Sequence, residues 1–254
     1  MASEISAAYE PHIGRFRVTL CRPDKRNALN IAMLRGFARA LDDLPDEARL
    51  VEISGEGPLF CAGLDLKEAV DDAAAAEAAT LLAGVYERLC TLPRAVSVCV
   101  VHGGAYGGGV GLAMACDLAI VGDDVSFAFP ELRRGIVPAL VGELLRHRVP
   151  PAVWKSLLLT GRPIGAAAAL ETGLVSEVAP HDALDARAAS LVNDLLANGP
   201  EATARMKALL WRDRPDFAAA IEVNSESRAS AEYAEGTAAF REKRPPAWAA
   251  NVRA

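Results

Sequence analysis

The sequence lacks the residue patterns that mark several large enzyme classes. It contains five cysteines, none in a CxxC pair, and four histidines (His12, His102, His147 and His181) without the spacing of metal ligands. It has no GxSxG, P-loop, GxGxxG or HExxH motif. We therefore expect no metal ion and no permanently bound cofactor. We expect the cysteines to be reduced and packed, as in cytosolic proteins.

A basic surface and a long apolar segment are also missing. The formal net charge is -6 and the pI is near 5.3, which argues against sequence-independent nucleic-acid binding. The alanine-rich stretch 73–83 is too short and too weakly apolar to span a bilayer. The N-terminus has no basic start followed by an apolar run, which favours the cytoplasm over secretion. We expect neither nucleic acid nor membrane as a partner.

Strand-like and helix-like segments alternate along most of the chain. Residues 16–20 and 96–101 are β-rich, and Asn30 precedes apolar residues at three- and four-residue steps that end at Pro45. Such alternation predicts an α/β fold with a mostly parallel sheet. Past Pro200 the pattern is wholly helical, over about 201–211 and 216–244. We divide the chain into an α/β core, 1–199, and a helical segment, 200–254, that we expect to act as a lid and subunit contact.

Two glycine-containing segments are the most informative feature. One is the glycine-dense run 102–117, and the other is the tight segment 60–67. A residue without a side chain lets a ligand approach the main chain, so each segment can aim a bare N–H group at one point. Chemistry that builds negative charge on a carbonyl oxygen needs two such donors. The pair therefore predicts a split oxyanion hole.

Five ordered segments carry a resemblance to a known family. They are 60–66, 107–109, 129–138, 159–175 and 240–245, and together they cover nearly the whole chain. In order and rough spacing they resemble the crotonase (enoyl-CoA hydratase/isomerase) family. The resemblance implies a spiral of ββα units with a C-terminal helical extension. It also implies an acyl-CoA substrate, with coenzyme A as part of that substrate, and a homotrimer or a hexamer built as a dimer of trimers.

The same resemblance assigns the reacting groups. The main-chain N–H groups of Leu64 and Gly108 match the positions that hold the thioester oxygen, and Gly108 is expected near a helix N-terminus, where negative charge is favoured. Glu131 matches the carboxylate that moves protons at the α or β carbon. Burial beside Phe129 and Leu132 would raise the pKa of this carboxyl toward neutrality, as a proton shuttle requires.

The main departure from the family pattern is Gly111. Hydratases with two carboxylates carry Glu at the matching position, where the pair orients the attacking water, and this chain offers no carboxylate there. Single-glutamate members include double-bond isomerases and hydratases of aromatic, branched or carboxylated acyl-CoAs. We expect Gly111→Glu to raise crotonyl-CoA hydration if the pocket tolerates the added volume.

The coenzyme A end is predicted from charge and from the same resemblance. Lys25 and Arg26 match the region of the adenosine 3′-phosphate, with Arg22 nearby, although a solvated charge run is an equal alternative for each side chain. The main chain of Ala62, Asp65 and Leu66 matches the turn that contacts adenine, with Asp65 fixing the turn. Lys243 and Arg244 match a terminal basic motif that either approaches coenzyme A from a neighbouring subunit or is exposed surface.

Four further residues were weighed near the site. Tyr86, Tyr106 and His102 are candidates for a group that helps a substrate carboxylate or alcohol to position water, and a wall of the acyl pocket is the alternative for Tyr106. Packing or capping of the turn is the favoured interpretation for His102. Cys61 lies beside the predicted oxyanion hole, but the resemblance favours a small filler over a nucleophile.

Hydration of an enoyl-CoA is the first prediction for the reaction, and double-bond isomerisation is the second. Decarboxylation, or reaction of a carrier-protein thioester, stays open because stabilisation of an enolate serves all of these reactions equally. A catalytically weak binding or scaffolding protein is the alternative from another class. Gly111 favours that alternative, whereas Glu131 and the two glycine segments oppose it.

Overall fold

The strands form one large sheet and one small sheet, and over residues 96–128 successive strands enter the two sheets in turn. The structure is a computed structural model and describes residues 4–67, 72–210, 224 and 226–250. The six-stranded sheet has the order β1 (Ile5–Glu10), β2 (Arg15–Leu20), β3 (Leu50–Gly55), β4 (Val96–Val101), β6 (Leu118–Gly122) and β9 (Glu177–Ala179). The three-stranded sheet has the order β5 (Gly104–Tyr106), β7 (Ser126–Ala128) and β8 (Ile164–Gly165).

Helices connect or cover these strands. They are α1 (Ile31–Asp42), α2 (Asp72–Cys90), α3 (Gly108–Ala115), α4 (Ala139–Arg148), α5 (Pro151–Thr160), α6 (Ala166–Glu171), α7 (Leu184–Leu196), α8 (Pro200–Leu210) and α9 (Ala231–Glu242). In the large sheet only β1 pairs antiparallel, with β2, and the other neighbours are parallel. Parallel neighbours require crossover connections, and the helices supply them. The predicted α/β class is therefore confirmed.

Pairs of strands followed by a helix repeat as a spiral. β4 and β5 lead into α3, and β6 and β7 lead toward α4. In each pair the first strand joins the large sheet and the second joins the small sheet. β3 is followed by Cys61, which forms a parallel bridge with Ala105 of β5, and then by α2. The chain thus carries the ββα spiral that the resemblance implied.

The core lies on both faces of β4, whose six residues are all buried. Cys99 and Val101 belong to the larger apolar cluster, which includes residues of α1, α2 and α3. Val98 and Val100 belong to a second cluster with α7. Since successive side chains of a strand point to opposite faces, the apolar run predicted for 96–101 is what a strand covered on both faces requires.

Helix caps confirm one predicted boundary and correct another. The Asn30 side chain accepts a hydrogen bond from the Met33 N–H at 2.7 Å, as expected for the start of α1. The prediction of one helix over 216–244 is wrong within the described residues. Residues 226–228 are helical, but Ser230 is extended and its hydroxyl caps a new helix, α9, at the Tyr233 N–H.

Several elements of the fold were not predicted from the sequence. β8 has two residues and β9 has three, which is too short for an alternating pattern to be recognised. β1 is mostly exposed and rich in serine and alanine, so it lacks the β-branched character of a typical strand. α7 was also missed, although its buried residues Leu184, Ala188, Val192 and Leu196 recur at four-residue steps.

A buried ion pair attaches α8 to the core. The Lys207 ammonium donates to an Asp117 carboxylate oxygen at 2.6 Å and to the Ala95 carbonyl at 2.9 Å. The same carboxylate oxygen accepts hydrogen bonds from the backbone N–H and the hydroxyl of Ser97. Each charge therefore neutralises the other, and α8 cannot leave this position without separating the pair.

We expect Lys207→Ala to lower the free energy of unfolding by about 1.5–3 kcal/mol, because it leaves the half-buried Asp117 carboxylate without its charged hydrogen-bond donor. Urea unfolding at pH 7 measures this change. Lys155→Ala removes an exposed lysine of α5 and should cost less than about 1 kcal/mol. Equal losses in the two variants would contradict the role given to the ion pair.

Among the residues that the structure describes, no helix combines the length and the apolar character needed to cross a bilayer. The division of the chain at residues 199 and 200, and the lid role of the second part, stay predictions.

Candidate active site

Parallel strands of the small sheet bring the two predicted reacting segments to one edge. β5 pairs parallel with β7, with Tyr106 opposite Ala128 at their carboxyl ends. The chain leaves β5 toward Gly108 and leaves β7 toward Glu131, and the Gly107 N–H donates to the Ala128 carbonyl at 3.0 Å. Because both strands end at this edge, the glycine segment and Glu131 must meet there.

Leu64 and Gly108 present N–H groups without a protein acceptor among the residues that the structure describes. Leu64 forms a parallel bridge with Leu29 in which the neighbouring Gly63 carbonyl and Asp65 N–H make the hydrogen bonds. The Leu64 N–H is therefore left free. Gly108 is the first residue of α3, where an N–H has no partner within the helix.

Close approach of the two segments depends on missing side chains. A Cβ built on Gly63 would lie 2.7 Å from the Tyr106 carbonyl oxygen and 3.4 Å from the Gly108 nitrogen. A Cβ on Gly109 would lie 2.6 Å from the Cys61 carbonyl oxygen. Any larger residue at either position would push the segments apart. The glycines thus bring the two N–H donors together, as an oxyanion hole requires.

Glu131 lies against this pair of donors. It opens the short 3-10 helix Glu131–Arg134 directly after Pro130. A Cβ built on Gly107 would lie 2.4 Å from Glu131 Oε1, so the carboxylate occupies the space beside the residue that precedes Gly108. Its other oxygen, Oε2, is buried and has no hydrogen-bond partner within the described part of the chain. A buried oxygen without a partner is costly, so this atom is suited to take a proton or bind a polar substrate group.

Burial raises the pKa of the Glu131 carboxyl above its ordinary value, outweighing a backbone hydrogen bond and the charge of Arg134, which lower it. The direction agrees with the expectation for a proton shuttle. Of the two apolar residues expected to bury the carboxyl, Phe129 is fully buried and Leu132 is 40% exposed.

Tyr86 occupies the space above Gly111. A Cβ built on Gly111 would lie 2.0 Å from the Tyr86 hydroxyl oxygen and 2.3 Å from its Cζ. The condition attached to Gly111→Glu, that the pocket tolerate the added volume, is therefore not met while Tyr86 keeps its position. The hydroxyl donates to the Gly108 carbonyl at 2.7 Å, and Tyr86 is only 4% exposed.

The polar atoms of the other two candidates, Tyr106 and His102, lie further from the Leu64 and Gly108 N–H donors. The Tyr106 hydroxyl packs near Gly104, at the opposite end of β5 from Gly107. His102 pairs through Nε2 with the Gly57 carbonyl at 2.8 Å, in the loop that follows β3. Of the three, only Tyr86 places its polar atom beside Gly108. The sequence signal for Tyr86 was weak because 22 residues separate it from Gly108.

Cys61 is a packing residue. It is fully buried, and its thiol donates to the Asn27 carbonyl at 3.2 Å. Burial raises the pKa of this thiol to about 12, so the thiolate needed for nucleophilic attack is not formed near neutral pH.

Hydrogen bonds connect the two segments predicted for coenzyme A binding, 22–26 and 62–67, which together are called the rim. Arg22 pairs with Asp65 at 2.7 Å, and Asp65 also accepts the Lys67 N–H. Burial raises the pKa of the Asp65 carboxyl, but the hydrogen bonds from Arg22 and from the Lys67 N–H outweigh burial and hold this pKa below its ordinary value. Asp65 is thus engaged in fixing the turn. The Ala62 N–H donates to the Arg26 carbonyl at 3.0 Å, which joins the two predicted binding segments.

Cations and apolar groups on this rim are open to solvent. Lys25, Arg26 and Leu66 are all exposed, and the Lys25 ammonium lies 3.8 Å from an Asp24 carboxylate oxygen. Arg244, in contrast, pairs with Glu235 and Glu242 of α9. Arg244 is therefore engaged within its own segment, whereas Lys243 is exposed.

Comparisons with known proteins show the family of this chain. The sequence profile of the enoyl-CoA hydratase/isomerase family matches residues 14–251. A Thermus thermophilus protein, provisionally named as an enoyl-CoA hydratase, is 35% identical over 241 residues, covering 90% of this chain and 95% of its own. The human mitochondrial enoyl-CoA hydratase domain-containing protein 3 is 31% identical, covering 91% and 79% of the two chains.

A solved structure is similar over the same extent. The enoyl-CoA hydratase of Mycobacterium smegmatis superposes with a TM-score of 0.91 at 30% identity, covering 97% of this chain and 99% of its own. The family profile, the similar sequences and this superposition all span the segments that form the site. This chain therefore belongs to the enoyl-CoA hydratase/isomerase family.

Proposed function

We propose that the protein adds water to the double bond of an enoyl-CoA, with a branched or carboxylated acyl group preferred. The observation that supports this most directly is the free Glu131 Oε2, buried beside the Gly107 and Gly108 turn that presents an open N–H donor. The arrangement places one proton-transfer group next to one site for negative charge. The similar proteins named as enoyl-CoA hydratases support the choice of reaction.

In this reaction the Glu131 carboxylate takes a proton from water as the water oxygen bonds to the β carbon. The electron pair of the double bond moves toward the thioester, and the resulting enolate oxygen accepts hydrogen bonds from Leu64 and Gly108 N–H. Glu131 then returns its proton to the α carbon. Water is added, and the protein recovers its starting protonation state.

The substrate thioester is proposed to carry coenzyme A along the exposed rim. Lys25 and Arg26 project cations that are free to meet the 3′-phosphate, and the main chain of Ala62, Asp65 and Leu66 would contact the adenine. No permanently bound cofactor takes part in this scheme. We also propose a homotrimer, alone or paired as a hexamer, supported by exposed apolar side chains on the helical segment, namely Met206, Leu210 and Phe240.

The proposal is tested by incubation in H₂¹⁸O with a panel of straight, branched and carboxylated enoyl-CoAs. We expect ¹⁸O at the β carbon of at least one branched or carboxylated product, and much slower uptake with crotonyl-CoA. Mass spectrometry of the products gives the rates, and Glu131→Gln is the blank. Rapid Glu131-dependent hydration of crotonyl-CoA would contradict the substrate preference.

Isomerisation is the second candidate, favoured by the lack of a carboxylate at Gly111. It would move the double bond without ¹⁸O uptake. Loss of CO₂ would reveal a decarboxylase, and turnover only of a carrier-protein thioester would replace coenzyme A in the scheme. A protein that binds the panel without turning over any member would be the catalytically weak alternative.

A further inference from the structure

We propose that the Tyr86 hydroxyl holds the reacting water in place, as the partner of Glu131. This inference rests on the proposed hydration. The observation behind it is that the Tyr86 phenol fills the space that the Cβ of any larger residue at position 111 would occupy.

A hydrogen bond to the Gly108 carbonyl fixes the orientation of the Tyr86 hydroxyl. The hydroxyl donates its proton to this carbonyl at 2.7 Å, which leaves the oxygen lone pairs for an incoming donor. A Cβ on Gly108 would lie 3.5 Å from the same oxygen, so the hydroxyl is adjacent to the first residue of α3, whose N–H is open. The phenol oxygen is thus an acceptor beside the oxyanion hole.

Glu131 and Tyr86 flank consecutive residues. The Glu131 carboxylate lies against Gly107, and the Tyr86 hydroxyl lies against Gly108 and Gly111. A water molecule has two protons, and two fixed acceptors are needed to turn its lone pair toward a carbon. Glu131 Oε2, which has no partner, supplies one acceptor, and the Tyr86 oxygen supplies the other.

Tyr86 stays neutral while it does this. Burial above all, and then the nearby Cys61 and Glu131, raise the pKa of this phenol well above its ordinary value. It therefore does not compete with Glu131 for the proton. We assign Tyr86 as a positioning residue, with Glu131 as the sole group that changes its protonation.

The test compares two reactions in Tyr86→Phe, which keeps the ring and removes only the hydroxyl. The first is ¹⁸O uptake by the best enoyl-CoA of the panel, and the second is α-proton exchange of a saturated acyl-CoA in D₂O. Exchange needs Glu131 and the oxyanion hole but no attacking water. We expect ¹⁸O uptake to fall about tenfold or more, as for one lost hydrogen bond at the transition state, and exchange to stay within about threefold.

Each other result overturns the assignment. Unchanged ¹⁸O uptake would mean that the hydroxyl does not hold the water, and equal losses in both reactions would mean that it only supports the start of α3. Tyr9→Phe, at a half-buried tyrosine of β1, is the matched control and should change neither rate. Absence of ¹⁸O uptake in the unmodified protein would instead overturn the proposed hydration, so the two failures are distinguishable.

A residue exchange tests the shared space directly. Gly111→Glu alone should lose activity and thermal stability, because its Cβ overlaps the phenol. Tyr86→Ala with Gly111→Glu should take up ¹⁸O faster than Tyr86→Ala alone, because the vacated space then admits a carboxylate. A double variant that is no faster, with circular dichroism showing a native fold, would mean that the water is not held there.

Discussion

Glu131→Gln should lower kcat for the best enoyl-CoA at least about a hundredfold while leaving the affinity for coenzyme A esters nearly unchanged. The amide keeps the volume of the carboxylate beside Gly107 but cannot take a proton. No carboxylate lies at Gly111 to replace it. Single-turnover rates and calorimetric binding separate the two quantities.

The control is Glu171→Gln, which changes an exposed glutamate of α6 in the same way and should leave both quantities unchanged. If kcat survives Glu131→Gln, the proton role belongs to another group or the reaction is not hydration. The pH profile adds a second check. Glu131 must be ionised to accept the proton, and burial raises its pKa, so kcat/KM should fall on acidification at a pH above the ordinary 4.5.

The same substitution should stabilise the fold at neutral pH. Because the folded-state pKa of Glu131 is raised, its contribution to stability is present below the unfolded-state pKa and is lost as pH rises through the folded-state value. Glutamine carries no charge at any pH, so the variant does not undergo this loss of stability. The difference in Tm between Glu131→Gln and the unmodified protein should therefore be larger at pH 7 than at pH 4.

Gly108→Pro should remove most activity, whereas Leu64→Ala should have little effect on turnover. Proline deletes the N–H donor, and loss of one oxyanion-hole donor costs about 3–4 kcal/mol of transition-state stabilisation. Leu64 is half-buried against the core and contributes its main chain to the site, so alanine preserves the donor. Steady-state kinetics with the best panel substrate measures both variants.

Gly108→Ala separates the donor from the shape of the residue. It keeps the N–H but adds a Cβ that would lie 3.0 Å from a Leu82 methyl group, so it reports the steric part of the proline effect. Circular dichroism must show that all three variants are folded, because Gly107 has φ 49° and ψ −117°, a conformation disfavoured before proline. Equal losses in folded Leu64→Ala and Gly108→Pro would contradict a hole built from main-chain groups.

Local patterns were sufficient for much of the fold. The Asn30 cap, the apolar run of β4 and the helix N-terminus at Gly108 were all predicted from residues close together in the chain. Short strands such as β8 and the break at Ser230 were not recognised. Their positions depend on pairing with distant strands and on one capping hydroxyl, which periodicity does not record.

The amino-acid sequence by itself determined the family, the two glycine segments and Glu131, because each rests on residue types at close spacing. Only the tertiary structure showed which group occupies the space beside Gly111. Sequence alone shows a missing carboxylate, whereas the fold shows a phenol in its space, brought from α2 by packing across the core. Contacts between residues far apart in the chain are set by how helices and sheets pack, and a single sequence does not state them.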